Sequence, residues 1–139
     1  VSFESERTIK VMFSELESVM KKLTLEITAN LIEATPVDTG WARANWIPKI
    51  GGPNNSLSGS RVNAEAGNID SQQQQAGIAA VATSYKVING PIYISNIVPY
   101  IINLNNGSST KAPPGFVDIE IFKAIRVLRI KQAPTKTLV

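Results

Sequence analysis

The sequence predicts an α+β domain: a small, mostly antiparallel sheet packed by a long N-terminal helix and a C-terminal helix. Three observations predict it. Residues 9–31 place apolar side chains at helical spacing, residues 91–96 alternate at the period of a strand, and residues 116–129 return to helical spacing after two turn-forming clusters. With 139 residues the chain fits a single domain spanning 1–139.

The first element is expected over residues 5–34. Ile9, Phe13, Leu16, Met20, Leu23, Ile27 and Leu31 follow one another at steps of three or four. Ser5 or Thr8 can cap its start, Glu4 and Glu6 suit the positive end of the helix dipole, and Pro36 ends it by disfavouring helical backbone at Thr35. At about 1.5 Å per residue such a helix reaches roughly 40–45 Å, long enough to cross a whole sheet or to lie along a partner subunit.

Thr35-Pro36-Val37-Asp38-Thr39-Gly40 is a turn signal, with Asp38 expected to bond backbone amides and Gly40 to permit the reversal. Residues 43–49 read as a strand, with Pro48 marking an edge. Residues 51–67, rich in Gly, Asn and Ser, read as a long loop with too few apolar residues (Leu57 and Val62, with Ile69 beyond) to bury itself without another subunit. Residues 68–84 favour a helix through Gln72–Gln75 and the alanines after them, capped by Asp70 or Ser71. Residues 86–88 and 91–96 read as strand, Ile92 and Ile94 facing one way and Tyr93 and Ser95 the other. Residues 100–104 form a further strand or a short helix. Turns follow at 105–109 and 111–115. The last helix covers 116–129 with Val117, Ile121, Ile125 and Leu128 on one face, and 130–139 reads as a flexible tail.

Composition narrows the chemistry. A hydrophobic share of 43% is ordinary for a globular domain. There is no cysteine and no histidine, which removes disulfides, thiolate zinc sites, cysteine nucleophiles and the commonest general base and metal ligand. No glycine-rich phosphate loop is present. Asp118 and Glu120 fit the start of a helix better than acid–base work, and Asp38 fits a turn better than a general base. The chain therefore reads as a non-enzyme without cofactor or metal. No apolar run approaches the roughly 18 residues of a membrane span, and Glu4 and Glu6 do not suit a secretion signal.

The net charge of +3 is unevenly spread. Residues 1–40 carry four bases and seven acids, a net −3, whereas from Ile121 onward every charge is basic. Such polarity suits a contact between copies in which Glu15, Glu17, Glu26 or Glu33 of one subunit faces Lys123, Arg126 or Arg129 of the next.

Two segments resemble the tail-completion (tail-terminator, neck) proteins of tailed bacteriophages. The first is Thr35 to Gly40 after a long helix, followed by Arg43 and Trp46. The second runs from Tyr93-Ile94-Ser95-Asn96 through Pro99-Tyr100, Leu104, Gly107 and Ser109 to Ala112-Pro113 and Gly115-Phe116-Val117. Asn105 stands where that family carries an acid, and Lys111 where it carries glutamine. The resemblance extends from Thr8 to Ile125 and makes Pro36, Asp38, Gly40, Asn96, Tyr100, Gly107, Pro113 and Gly115 a structural turn motif. It implies a virion protein of the head–tail junction, assembled in the bacterial host cytoplasm. Six copies would form a ring that completes or caps the tail, binds the neighbouring neck and tail proteins, and leaves a channel that DNA traverses without sequence-specific binding. Residues 51–67 would line that channel or meet a neighbour. Another neck adaptor, stopper or minor capsid component is the alternative. A more distant one is a DNA-binding protein using Lys123, Arg126 and Arg129, with Trp41 and Trp46 near Arg43 for stacking.

Overall fold

The computed structural model describes residues 2–132. It is an α+β fold whose first element, α1 (Phe3–Ala34), is the longest. The Ser2 hydroxyl caps it by accepting from the Ser5 amide at 3.1 Å, earlier than Ser5 or Thr8 would have done; the Thr8 hydroxyl instead donates back to the Glu4 carbonyl. The helix ends where Thr35 turns to extended backbone ahead of Pro36, as the proline requires.

A short α2 (Trp41–Ala44) follows, then β1 (Ile47–Ile50), α3 (Arg61–Glu65) and α4 (Gln72–Ser84). A 3-10 turn at Val87–Asn89 leads to β2 (Ile92–Ser95), α5 (Ile101–Asn105) and α6 (Phe116–Gln132). Strands β1 and β2 pair antiparallel, Ile47 opposite Ser95 and Ile50 opposite Ile92. A two-stranded ribbon is marginal alone. Here α4 packs against β1, and α1 lies against α4, α6 and the ribbon. At Gly77, a Cβ would stand 2.3 Å from the Pro48 carbonyl oxygen, so helix and strand backbones meet with no side chain between them.

Several elements differ from expectation for identifiable reasons. The strand expected over 43–49 begins only at Ile47, because Gly40 at φ 90° reverses the chain, the Asn45 backbone amide donates to the Ala42 carbonyl at 3.2 Å, and the Asn45 side chain donates to the Trp41 carbonyl at 2.9 Å, closing a helical turn. Residues 86–88 do not join the sheet: the Asn89 side chain accepts from the Lys86 amide at 3.1 Å and winds a 3-10 turn. Of the two readings left open for residues 100–104, the helical one holds. The last helix continues through Gln132, so the first three residues of the expected flexible tail are helical; 133–139 lie outside the described residues.

The core gathers Leu31, Trp41, Trp46, Ile47, Val81, Tyr85, Val98, Phe116 and Ala124. On α1 the buried face runs Thr24, Thr28, Leu31 and on to Thr35, turned slightly from the apolar stripe, with Leu23 and Ile27 half-buried beside it. Threonine is tolerated at 28 and 35 because their hydroxyls donate to the carbonyls of Thr24 and Leu31.

The segment 51–67 corrects the expectation that it needs a second subunit to become ordered. Ser58 is fully buried, its amide donating to the Asn45 side-chain oxygen at 2.8 Å and its carbonyl accepting from the Trp41 indole at 3.1 Å. Ser60 caps α3, which buries Ala64 in a cluster with Trp41, Ala42 and Val98, and Leu57 packs on that cluster. Hydrogen bonds from buried polar side chains anchor the loop, a contribution that counting apolar residues omits.

Candidate functional site

The two segments of the turn motif meet in space. In the first, Thr35 accepts from the Trp46 indole at 2.7 Å. The Arg43 guanidinium donates to the carbonyls of Thr35 at 2.8 Å and Glu33 at 2.9 Å, so a cation satisfies the open end of α1 where the helix dipole is negative. The expected role of Asp38 does not hold: Asp38 is exposed, and it is Thr39 whose hydroxyl accepts from the Trp41 amide at 3.3 Å.

The second segment clasps the first. Asn96 donates from its side chain to the Ala42 carbonyl at 2.8 Å and accepts from the Val98 amide at 3.1 Å, tying the end of β2 to α2. Tyr100 leans on Trp41, ring centres 6.1 Å apart and tilted by 55°. Gly107 and Gly115 both have positive φ, and Gly107 packs against Pro114 where a Cβ would stand 2.7 Å from that ring. The Pro113 carbonyl accepts from the Phe116 amide at 3.1 Å at the start of α6. Asn105 then holds that helix start, its side-chain oxygen accepting from the Val117 amide at 3.1 Å and its carbonyl from Gly115 at 2.6 Å. An amide oxygen thus supplies the acceptor at the start of α6.

Between the two segments lies a cleft of about 160 Å³, walled by Pro36, Val37, Asp38 and Gly40 on one side and Tyr100, Leu104, Ser109 and Lys111 on the other. Small-molecule sites usually occupy about 300–1,000 Å³, so this cleft suits a single side chain better than a substrate. Its only titratable groups, Asp38, Tyr100 and Lys111, make no hydrogen bond to one another, and Ser109 spends its hydroxyl accepting from the Lys111 amide at 3.2 Å. Among the described residues no cluster of three acids could hold a metal ion, and no helix is long and apolar enough to cross a membrane.

The acidic and basic candidates are not brought together within the chain. Glu15 is exposed on α1. Glu17 is engaged internally, accepting from the Val87 amide at 2.9 Å and lying 3.7 Å from the Lys86 ammonium. Glu26 is half-buried and Glu33 exposed. Lys123 pairs with Glu120 of its own helix at 2.9 Å, and Arg126 and Arg129 are exposed without an acidic partner among the described residues.

Sequence reasoning missed the surface that stands out most. Phe3, Ile9, Val11, Met12, Phe13 and Leu16 are all exposed on the first half of α1, because the domain covers that helix only from about Glu17 onward. On α6, Phe116 and Ala124 enter the core while Ile119 and Phe122 point outward. The expected stripe of Val117, Ile121, Ile125 and Leu128 does not hold as one buried face: Ile125 is exposed beside Ile119 and Phe122, so this helix is apolar on two sides. Comparison with family models, curated proteins and solved structures finds no match to this chain.

Proposed function

We propose that this chain is a structural ring subunit of the neck of a tailed phage, completing or capping the tail at the head–tail junction around a DNA channel. The observation that carries the assembly part of this reading is the pair of exposed apolar helix faces, on the first half of α1 and on the outside of α6. Contiguous exposed apolar surface on a folded domain marks a contact with another macromolecule. The phage part rests on the resemblance carried by the turn motif, whose two segments clasp each other and hold the ends of α1 and α6 in place. Such a motif serves a scaffold, and the small cleft between its halves offers no base beside a nucleophile.

The DNA-binding alternative is less well supported. Ile119 and Phe122 interrupt the basic ridge of α6, and Lys123 is already paired with Glu120. Labelling phage particles with gold-conjugated antibody against this chain tests the proposal. Gold at the junction of head and tail is the expected result. Gold elsewhere on the particle would favour a minor capsid role, and unlabelled particles from a lysate containing the protein would contradict a virion role altogether.

A further inference from the structure

We infer that the outer face of α6 is covered, in the assembled state, by the first half of α1 from a second copy of the same chain. This rests on the ring reading and names the contact that would propagate it.

The apolar face of α1 is continuous. Ile9, Phe13 and Leu16 extend the same side of the helix that carries Met20, Ile27 and Leu31, but the domain stops at Glu17, which is held by Val87 and Lys86. Residues 3–16 therefore project as about 21 Å of helix at about 1.5 Å per residue. On this projection Met12 is 60% exposed and Phe13 52%. Helices in proteins owe most of their stability to packing an apolar face, and none of the described residues covers this one.

A face of matching dimensions exists on the same molecule. Between Ile119 and Arg129, α6 offers about 16 Å of outward surface at the same rise per residue. At its centre Phe122 is 68% exposed, with Ile119 and Ile125 beside it. A helix with apolar residues on opposite sides is packed on both. Here one side meets the core, and the other is covered by none of the described residues.

The charges lean in opposite senses, a net −1 on the projection against Arg126 and Arg129, which have no acidic partner among the described residues. The projecting part of α1 carries Glu4, Glu6 and Glu15 against Arg7 and Lys10. On α6, once Glu120 and Lys123 have paired, Arg126 and Arg129 remain beside the apolar residues. Each copy carries both halves of this complement, so a second copy can supply the occupant, and under the ring reading the contact is heterologous, α1 of each subunit meeting α6 of the next.

The chain has no cysteine, so introduced thiols report contacts without ambiguity. Phe13→Cys and Phe122→Cys, both at exposed positions, would be placed in separate, differently tagged copies. These are co-expressed, purified together, and treated with a short bismaleimide. The expected result is an oligomer in which the mixed Phe13→Cys to Phe122→Cys product exceeds the self-linked product of either variant several-fold. Adding Arg126→Glu and Arg129→Glu to the Phe122→Cys copy should reduce that product, and Glu6→Arg with Glu15→Arg in the other copy should partly restore it. An oligomer that yields only self-linked Phe13→Cys, or no linked product, would overturn this contact while leaving the ring reading standing. A chain that stays monomeric would overturn both.

Discussion

Replacing Gly77 with alanine is expected to destabilise the fold by about 2–3 kcal/mol, the cost of inserting a methyl group into a closed contact. Helix propensity alone predicts the opposite sign, since alanine is favoured over glycine by about 1 kcal/mol in a helix interior. Packing decides it, because the added Cβ would stand 2.3 Å from the Pro48 carbonyl oxygen and 3.3 Å from the proline ring. Neither is the free end of a flexible side chain, so α4 itself would have to move off β1. A urea titration checks the sign: the midpoint should fall by about 1–2 M at the slope usual for small domains. Ala80→Gly, at an exposed position of the same helix, should cost only about 1 kcal/mol. A Gly77→Ala chain more stable than the parent would show that the helix does not approach the strand so closely.

Asn45→Ala is the second change with a large expected effect, about 3–4 kcal/mol, because it removes buried hydrogen bonds and strands their partners without water. The Asn45 side chain donates to the carbonyls of Trp41 at 2.9 Å and Ser58 at 3.1 Å and accepts from the Ser58 amide at 2.8 Å. Its loss leaves that amide unpaired in the core and weakens the hold on residues 51–67. Hydrogen exchange would then show faster exchange at Ser58 and through α3, while the centre of α1 keeps more of its protection. Unchanged protection at Ser58 would mean that the loop is anchored by something other than Asn45.

How much of this could be read in advance follows from the kind of force each element depends on. The three long helices were legible because their periodicity records a burial pattern: α1 and α6 carry apolar stripes, and α4 is a run of good helix formers between Ser71 and Tyr85. The turn motif was legible as a set of residues but not in its bonding. Asp38 was the expected acceptor, yet Thr39 accepts and Arg43 holds the end of α1. The loop over 51–67 was misread because Asn45 and the Trp41 indole stabilise it through hydrogen bonds that hydropathy does not register.

The candidate interface was legible as charge and misjudged in extent. Glu17 was grouped with the acids that would face a neighbour, but it binds Val87 and Lys86 of its own chain. The apolar stripe of α1 predicted one buried face, and the small size of the domain explains why only part of that face is buried. On the N-terminal side of Glu17 none of the described residues covers it, so the stripe emerges there as surface. Phe122 and Ile119, on the side of α6 away from the core, add to an apolar surface larger than the core of this domain uses.

The central claim is that the chain functions as an assembled ring, and its mass in solution tests this most directly. Native mass spectrometry or sedimentation equilibrium of the purified protein at low salt is expected to show a discrete closed oligomer. Six copies of the 15.0 kDa chain would give roughly 90 kDa. Raising the salt should slow its formation more than it weakens the finished ring, since the charges guide encounter and the apolar faces hold the contact. A single species at the mass of one chain, unchanged up to the highest concentration that stays in solution, would contradict the account.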